Sequence, residues 1–279
     1  MKSFIPVFRE AYDHFSTSDG WAMASHLALS LVFALFPFLI FTTALTGLLV
    51  QETQTQALTD LVLGTWPNKV AIPIVREINA VLDQPRPGLL TLAGALALFF
   101  SSNGVEALRT ALNRAYQTTE TRSLIRCRVQ SLVFVLVGAA TLVIVSLLIV
   151  VLPNVPLLVE KLAWFGLEDV SSNALARWLA ATFTLVVALF LAHFLLPAGH
   201  RPVSEIWPGV VLTVMAGLIG AAGFSIYIDN FSHHGATYAG LSGIMTALFY
   251  LYLMSVIVIF GGELNAALYK HHRSQVRKP

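Results

Sequence analysis

Four titratable side chains, His26, Glu106, His193 and Glu263, lie inside or at the ends of long apolar runs, where an ionised group is costly unless paired or wetted. Each has polar neighbours at short spacing. Ser30 follows His26 by four residues and shares its helix face, Arg109 follows Glu106 by three and is placed to pair with it, and Asn103 lies one turn earlier. Asn265 stands two residues after Glu263. Gathered at one end of a set of membrane helices, these eight side chains would line a polar vestibule. Glu106 and Glu263 would bind or relay a cation or proton there, and the histidines would titrate near neutral pH. The plainer alternative leaves all of them hydrated at head-group depth, since tolerated charges collect at helix ends.

The elements that must hold these residues are lipid-embedded. Of 279 residues, 56% are hydrophobic and only 11% charged, and the mean hydropathy is +0.74, against roughly one-quarter charged residues in soluble domains. The expected fold is an all-α polytopic membrane protein with six spans: Leu27 to Val50, Leu89 to about Asn103, Val129 to Leu152, Leu175 to Leu196, Pro208 to Ile228, and Tyr238 to Leu268. The second has a short apolar core, so it either continues as the same helix through GVEALRTALNRAY or sits in locally thinned lipid. Residues 1–24 read as an amphipathic interfacial segment, with Phe4, Val7, Phe8, Ala11, Tyr12 and Phe15 on one face along the membrane surface. Residues 25–270 form a single transmembrane domain and residues 271–279 a basic tail. The first outer loop, Gln51 to Gly88, is broken by prolines and reads as one or two short interfacial helices.

Basic residues set the orientation. With the N-terminus inside, the inner segments hold Lys2, Arg9, Arg109, Arg114, Arg122, Arg126, Arg128, Arg201, Lys270, Arg273, Arg277 and Lys278. The outer loops hold Lys69, Arg76, Arg86, Lys161 and Arg177. Twelve against five puts both termini in the cytoplasm. On that topology His26, Glu106, His193 and Glu263 all fall toward the cytoplasmic side. The partners implied are the bilayer itself and anionic head groups at the Arg-rich loop and the tail.

Pro37 is expected to kink the first span. Gly217 and Gly220 in the fifth, and Gly261 and Gly262 in the sixth, make small-residue faces for close helix packing or for a homo-oligomer seam, or a loosened helix at 261–262 whose carbonyls line a site. Asp229, His233 and His234 read as a solvated outer turn, because adjacent histidines point apart and further metal ligands are not visible. The single Cys127 excludes an internal disulfide and any multi-cysteine metal site, and reads as a silent surface cysteine. No GxxxxGK[ST], HExxH, GxSxG or CxxC motif occurs. A net charge of +2 does not point to nucleic acid. The chain reads as a non-enzyme with no cofactor and no metal site.

Three blocks carry a family likeness: GWAMASHLALSLVFALFPFLI (Gly20 to Ile40), SSNGVEALRTALNRAY (Ser101 to Tyr116) and ATYAGLSGIMTALFYLYLMSVIVIFGGELNAAL (Ala236 to Leu268). Through them the chain resembles the YihY/BrkB family of bacterial inner-membrane proteins over about residues 5 to 270. The resemblance implies a six-helix inner-membrane protein, linked in some members to serum resistance, with transport or lipid export proposed for others. It also implies that a ribonuclease BN label once given to such proteins is a misassignment. A phosphodiesterase needs metal ligands and a soluble basic face, and this sequence shows neither. The expected function is a non-ATPase transporter or export protein; the alternative is an accessory envelope protein.

Overall fold

A computed structural model describes residues 5–49, 87–154, 173–199, 201–231 and 239–276. Every regular element among them is helical. Helix α1 spans Ile5–Thr17 and α2 Gly20–Leu49. Between them Asp19 takes the left-handed conformation (φ 56°). Gly20 follows because a Cβ there would strike the Phe15 ring and carbonyl. Helix α2 passes through Pro37 without interruption.

Helix α3, Pro87–Ala115, starts on a proline, whose missing N–H costs nothing in the first turn. It runs unbroken to Ala115, and Gln117 (φ 55°) then turns the chain. Helix α4, Leu124–Ser146, is capped by the Ser123 hydroxyl and continues through a π-helical turn, Leu147–Val151, to Asn154. Asn173 caps α5, Ala174–Leu195, which ends just before Pro197. A 3₁₀ turn, Val203–Glu205, leads into α6, Trp207–Phe231. Helix α7, Ala239–Val276, has 38 residues, about 57 Å of rise.

Among the described residues, four helical stretches are long and apolar enough to cross a bilayer: Leu124–Val150, Ala174–Leu195, Val203–Tyr227 and Met245–Arg273. Their outward faces carry Leu136, Val143, Leu179, Phe183 and Ile219, each more than 60% exposed. Surfaces of this kind require hydrocarbon around them. Gly20–Ala34 is a shorter apolar helical stretch.

The chain forms two compact units. One is Phe33–Asn103, which holds the end of α2 and the start of α3. It exposes Leu92, Leu96 and Phe99, and within it the buried Ser102 hydroxyl donates to the Phe99 carbonyl at 2.8 Å. The other unit, Met1–Val32 with Gly104–Pro279, contains every contact described below. Its core packs Phe15, Ala24, Leu27, Ala107, Ala111 and Ile259 together, so α1, α2, α3 and α7 share one apolar centre.

Three expectations change in the structure. The apolar face of α1 is divided: Val7, Ala11 and Phe15 are buried, the first two against Ala267, while Ile5, Phe8 and Tyr12 stay exposed. The helix is therefore docked on α7 through half of its apolar surface. Cys127 is buried rather than superficial, because it lies on the inner side of α4 one turn before the buried Ser131, whose hydroxyl donates to the Cys127 carbonyl. Gly261 and Gly262 do not loosen α7, which is helical throughout. The loop helices expected in 51–88 fall outside the described residues up to residue 86, as do His233 and His234.

Small residues set how closely α6 and α7 approach. A Cβ on Gly209 would overlap the Gly261 carbonyl, and one on Gly261 would overlap the Thr213 hydroxyl and the Gly209 carbonyl. Gly262 faces Leu112, Ala115 and Tyr116 of the α3 end, while Gly217 and Gly220 face Met254 and its neighbours on α7. Gly209→Ala is expected to destabilise the protein by about 1–3 kcal/mol, since backbone blocks the added methyl. Gly217→Ala, with only ordinary contact to Met254 Sδ at 3.9 Å, should leave the melting temperature unchanged or raised. Thermal unfolding of both variants in detergent, followed by tryptophan fluorescence, checks the contrast.

Candidate functional site

The Glu263 carboxylate is 2% exposed although it belongs to a helix built for lipid. Both of its partners come from the N-terminal helix and the turn after it. His14 Nδ1 lies 2.7 Å from Oε2, and the Ser18 hydroxyl donates to Oε1 at 3.5 Å. One proton between the imidazole and the carboxylate completes the contact, carried by either partner. Burial, and after it the Lys270 and Arg114 charges, hold His14 below the ordinary imidazole value. A second tie, Lys270 Nζ to Glu10 at 2.7 Å, fixes the same two helices.

Two residues on, Asn265 is 1% exposed and faces a different way. Its Oδ1 accepts from the Gly209 backbone N–H at 2.6 Å, which fixes the amide orientation. Nδ2 then donates twice, to the Ile206 carbonyl and to the Tyr116 hydroxyl, both at 2.9 Å. Tyr116 Oη in turn lies 2.9 Å from His193 Nδ1. Because Asn265 already donates to Tyr116, the phenol hydrogen points to Nδ1, and a neutral His193 carries its proton on Nε2. Burial pushes the Tyr116 hydroxyl up to about 12, against the opposing pull of the Asn265 hydrogen bond and the Arg201 charge, so it stays protonated. The Arg201 guanidinium stacks 4.0 Å above the Tyr116 ring.

The third group is a lattice of charges spanning the last turns of α3 and its connection to α4. Glu106 is held by Arg128 at 3.2 Å and by Arg109 at 3.7 Å. Arg109 also reaches Glu120 at 3.7 Å, and Arg122 grips Glu120 through Nε and Nη2, both at 2.7 Å. Arg122 Nη2 further donates to the Leu196 carbonyl at the end of α5. Asn113 donates to Glu120 at 3.0 Å and accepts from the Ala198 N–H at 2.6 Å. The Arg122 hydrogen bonds, opposed by burial, pull the Glu120 carboxyl down to about 2.

The expected set therefore divides. Glu263 belongs to the α1–α7 contact, Asn265 and His193 to the Tyr116 chain, and Glu106 with Arg109 to the arginine lattice. His26 is exposed on α2 beside the buried Ala24, Leu27 and Ala28, and Ser30 is half-buried. Asn103 is half-buried in the other compact unit. The residues that do the joining, His14, Tyr116, Asn113, Glu120 and Arg201, were not singled out from the sequence. Tyr116 and Asn113 had a signal, since both are polar residues in the Ser101 to Tyr116 block. His14 had none, standing 249 positions from its carboxylate. A cavity of about 640 Å³ opens beside this network, with Tyr116, Arg201, Glu205, Tyr269, Lys270 and Arg273 in its wall.

Residues 11–279 match the family described as Virulence factor BrkB. The chain is 29% identical over 279 residues to YfkH of Bacillus subtilis (strain 168), a protein whose name calls it ribonuclease-like, with 97% of this chain and 98% of YfkH aligned. It is 26% identical to a UPF0761 membrane protein of Rhodospirillum centenum (strain ATCC 51521 / SW), and 22% identical to one of Acinetobacter baylyi (strain ATCC 33305 / BD413 / ADP1). Those two matches cover 95% and 91% of this chain but 57% and 60% of the relatives, so the chain spans somewhat over half their length. No solved structure matches.

Two outcomes follow from the geometry. Tyr116→Phe strands an Asn265 N–H and His193 Nδ1, both buried, and is expected to cost about 1–3 kcal/mol; the fall in melting temperature measures it. Glu120 titrates lower in the folded protein than its ordinary 4.5, so its contribution is complete above that pH and is lost on descent toward about 2. Melting temperatures taken from about pH 5 to about pH 3 should fall more steeply for the native chain than for Glu120→Gln.

Proposed function

The chain belongs to the virulence factor BrkB family of membrane proteins, and from that premise we propose a transporter or export protein for a small solute, ion or lipid, without an ATPase of its own. One observation carries the reading. Glu263 is a carboxylate 2% exposed in a lipid-spanning helix, and among the described residues its partners are one titratable imidazole and one hydroxyl, on α1 and the turn after it. An acid held this way exchanges a proton with His14 when the α1–α7 contact opens, the kind of step a coupled transporter uses. Glu106, clamped by Arg109 and Arg128, acts in this reading as the fixed anchor of the arginine lattice.

In the same reading α2 and α3 add two spans to the four clear ones, making six, and residues 25–270 act as one membrane domain between the interfacial segment 1–24 and the basic tail 271–279. The distribution of Lys and Arg supports an inner-membrane location with both termini in the cytoplasm. The exposed apolar face of α1, Ile5, Phe8 and Tyr12, would then rest in the interface, and the arginine-rich connection between α3 and α4 would lie against anionic head groups.

An accessory envelope protein is the second reading, favoured by the closed hydrogen bonding of Asn265 and Glu120, which looks built for rigidity. Among the relatives compared, the word ribonuclease is part of the name of YfkH. Among the described residues no group of three His, Cys, Asp or Glu is placed to hold a metal ion, so no observation favours it here.

Purified protein in liposomes tests the proposal. Proton-coupled flux or lipid movement should be present for the native chain and fall at least tenfold in Glu263→Gln, with the variant still folded. Vesicles that stay inert to ions, small solutes and labelled lipids, or activity unchanged in Glu263→Gln, would sink the transport reading and leave the accessory one.

A further inference from the structure

The cavity beside Tyr116 has a lining that the transport reading does not use. Its wall contains three cations, Arg201, Lys270 and Arg273, and one carboxylate, Glu205. Lys270 is already held by Glu10 at 2.7 Å. The two arginines are held differently. Arg201 Nη2 donates to the Ala198 carbonyl at 3.2 Å and to Thr118 at 3.5 Å, its face lies on Tyr116, and its Nη1 finds no hydrogen-bond partner among the described residues. Arg273 stacks on Tyr269 at 5.1 Å. Neither has a carboxylate within ion-pair reach among the described residues, and Glu205 Oε2 also goes without a hydrogen bond there.

Guanidinium groups oriented by stacking on a tyrosine lose little freedom on binding an anion, and their forked N–H groups match tetrahedral oxyanions. Burial disfavours the charge of Arg201, and an arriving anion relieves that cost. We propose that this cavity is a binding site for a phosphate ester group, with Arg201 and Arg273 as its two ligating cations and Tyr116 and Tyr269 as its floor. Glu205 sets a further condition. It lies near enough for the Arg201 and Arg273 charges to act on it, so it weakens the hold on a bare anion and favours an ester whose hydroxyl or ammonium substituent faces its free Oε2. A volume of about 640 Å³ accommodates such a head group. The same chemistry arises from a soluble phosphomonoester or from a phospholipid head group. The site does not depend on transport, because a bound head group would equally anchor an accessory protein.

The experiment uses the full chain in neutral detergent for the soluble arm and in nanodiscs for the lipid arm. Glycerol phosphate is titrated against chloride at equal ionic strength, which removes general screening, and binding is read by calorimetry and by the rise in melting temperature. Nanodiscs of phosphatidylcholine alone are compared with nanodiscs containing phosphatidylethanolamine or phosphatidylglycerol, and retained lipid is read by native mass spectrometry. Saturable binding that weakens at least tenfold in both Arg201→Gln and Arg273→Gln supports the site. Binding in the first arm identifies a soluble ester, and retention in the second alone identifies a lipid. Arg273, at the exposed end of α7, tests ligation without disturbing the Tyr116 network. No binding in either arm, or binding unchanged in folded Arg273→Gln and Arg201→Gln, overturns the proposal.

Discussion

In hydrocarbon a polar atom has no water to fall back on, so each one must find its partner inside the protein. That constraint organises the end of this molecule where α3, α5, α6 and α7 meet. Asn265 would be a liability on a lipid-facing helix, yet it makes three hydrogen bonds: with the Gly209 N–H, the Ile206 carbonyl, and through its second N–H the Tyr116 hydroxyl, which passes the chain on to His193. The amide reaches the α6 backbone only because Gly209 and Gly261 let the helices touch main chain to main chain. Small residues and polar residues are thus one device: the first bring the backbones close, and the second satisfy the groups this exposes.

The same economy explains the charge lattice. Glu106 and Glu120 are each shared by two arginines, and Arg122 spends its remaining donors on the Gln130 side chain and the carbonyls at the end of α5. Helix ends present unsatisfied carbonyls, and Pro197 brings α5 to its stop just where Arg122 reaches it. The connection between α3 and α4 is therefore a fitted clamp between helices as well as a patch of positive charge. Glu263 stands apart from this pattern, because its contacts are few and belong to α1 and the turn after it, an element held to α7 by two apolar clusters, by Phe8 and Phe15 against Phe260, and by the polar ties of His14 and Glu10. Glu263 is thus satisfied by a neighbouring helix's side chains, whereas Asn265 is fixed by main-chain groups of α6 and its approach.

Sequence alone was a good guide to everything that depends on local pattern. Apolar runs of sufficient length mark α4 to α7 as lipid-embedded, because length and hydropathy are one-dimensional quantities. The continuation of the short second apolar run through Arg109 to Ala115 was legible from helical spacing. The pairing of Glu106 with Arg109 was likewise legible, being three residues apart on one helix. What the chain by itself could not determine was which polar residues meet across helices. Neither the burial of Cys127 nor the division of the α1 face follows from local pattern, for the same reason: the direction a helix face points is decided by its neighbours. His14 meets Glu263, and Tyr116 meets both Asn265 and His193, only because tertiary packing cancels separations of 249, 149 and 77 residues. Composition fixed the solvent, periodicity fixed the helices, and the close approach at Gly209 and Gly261 decided the partners.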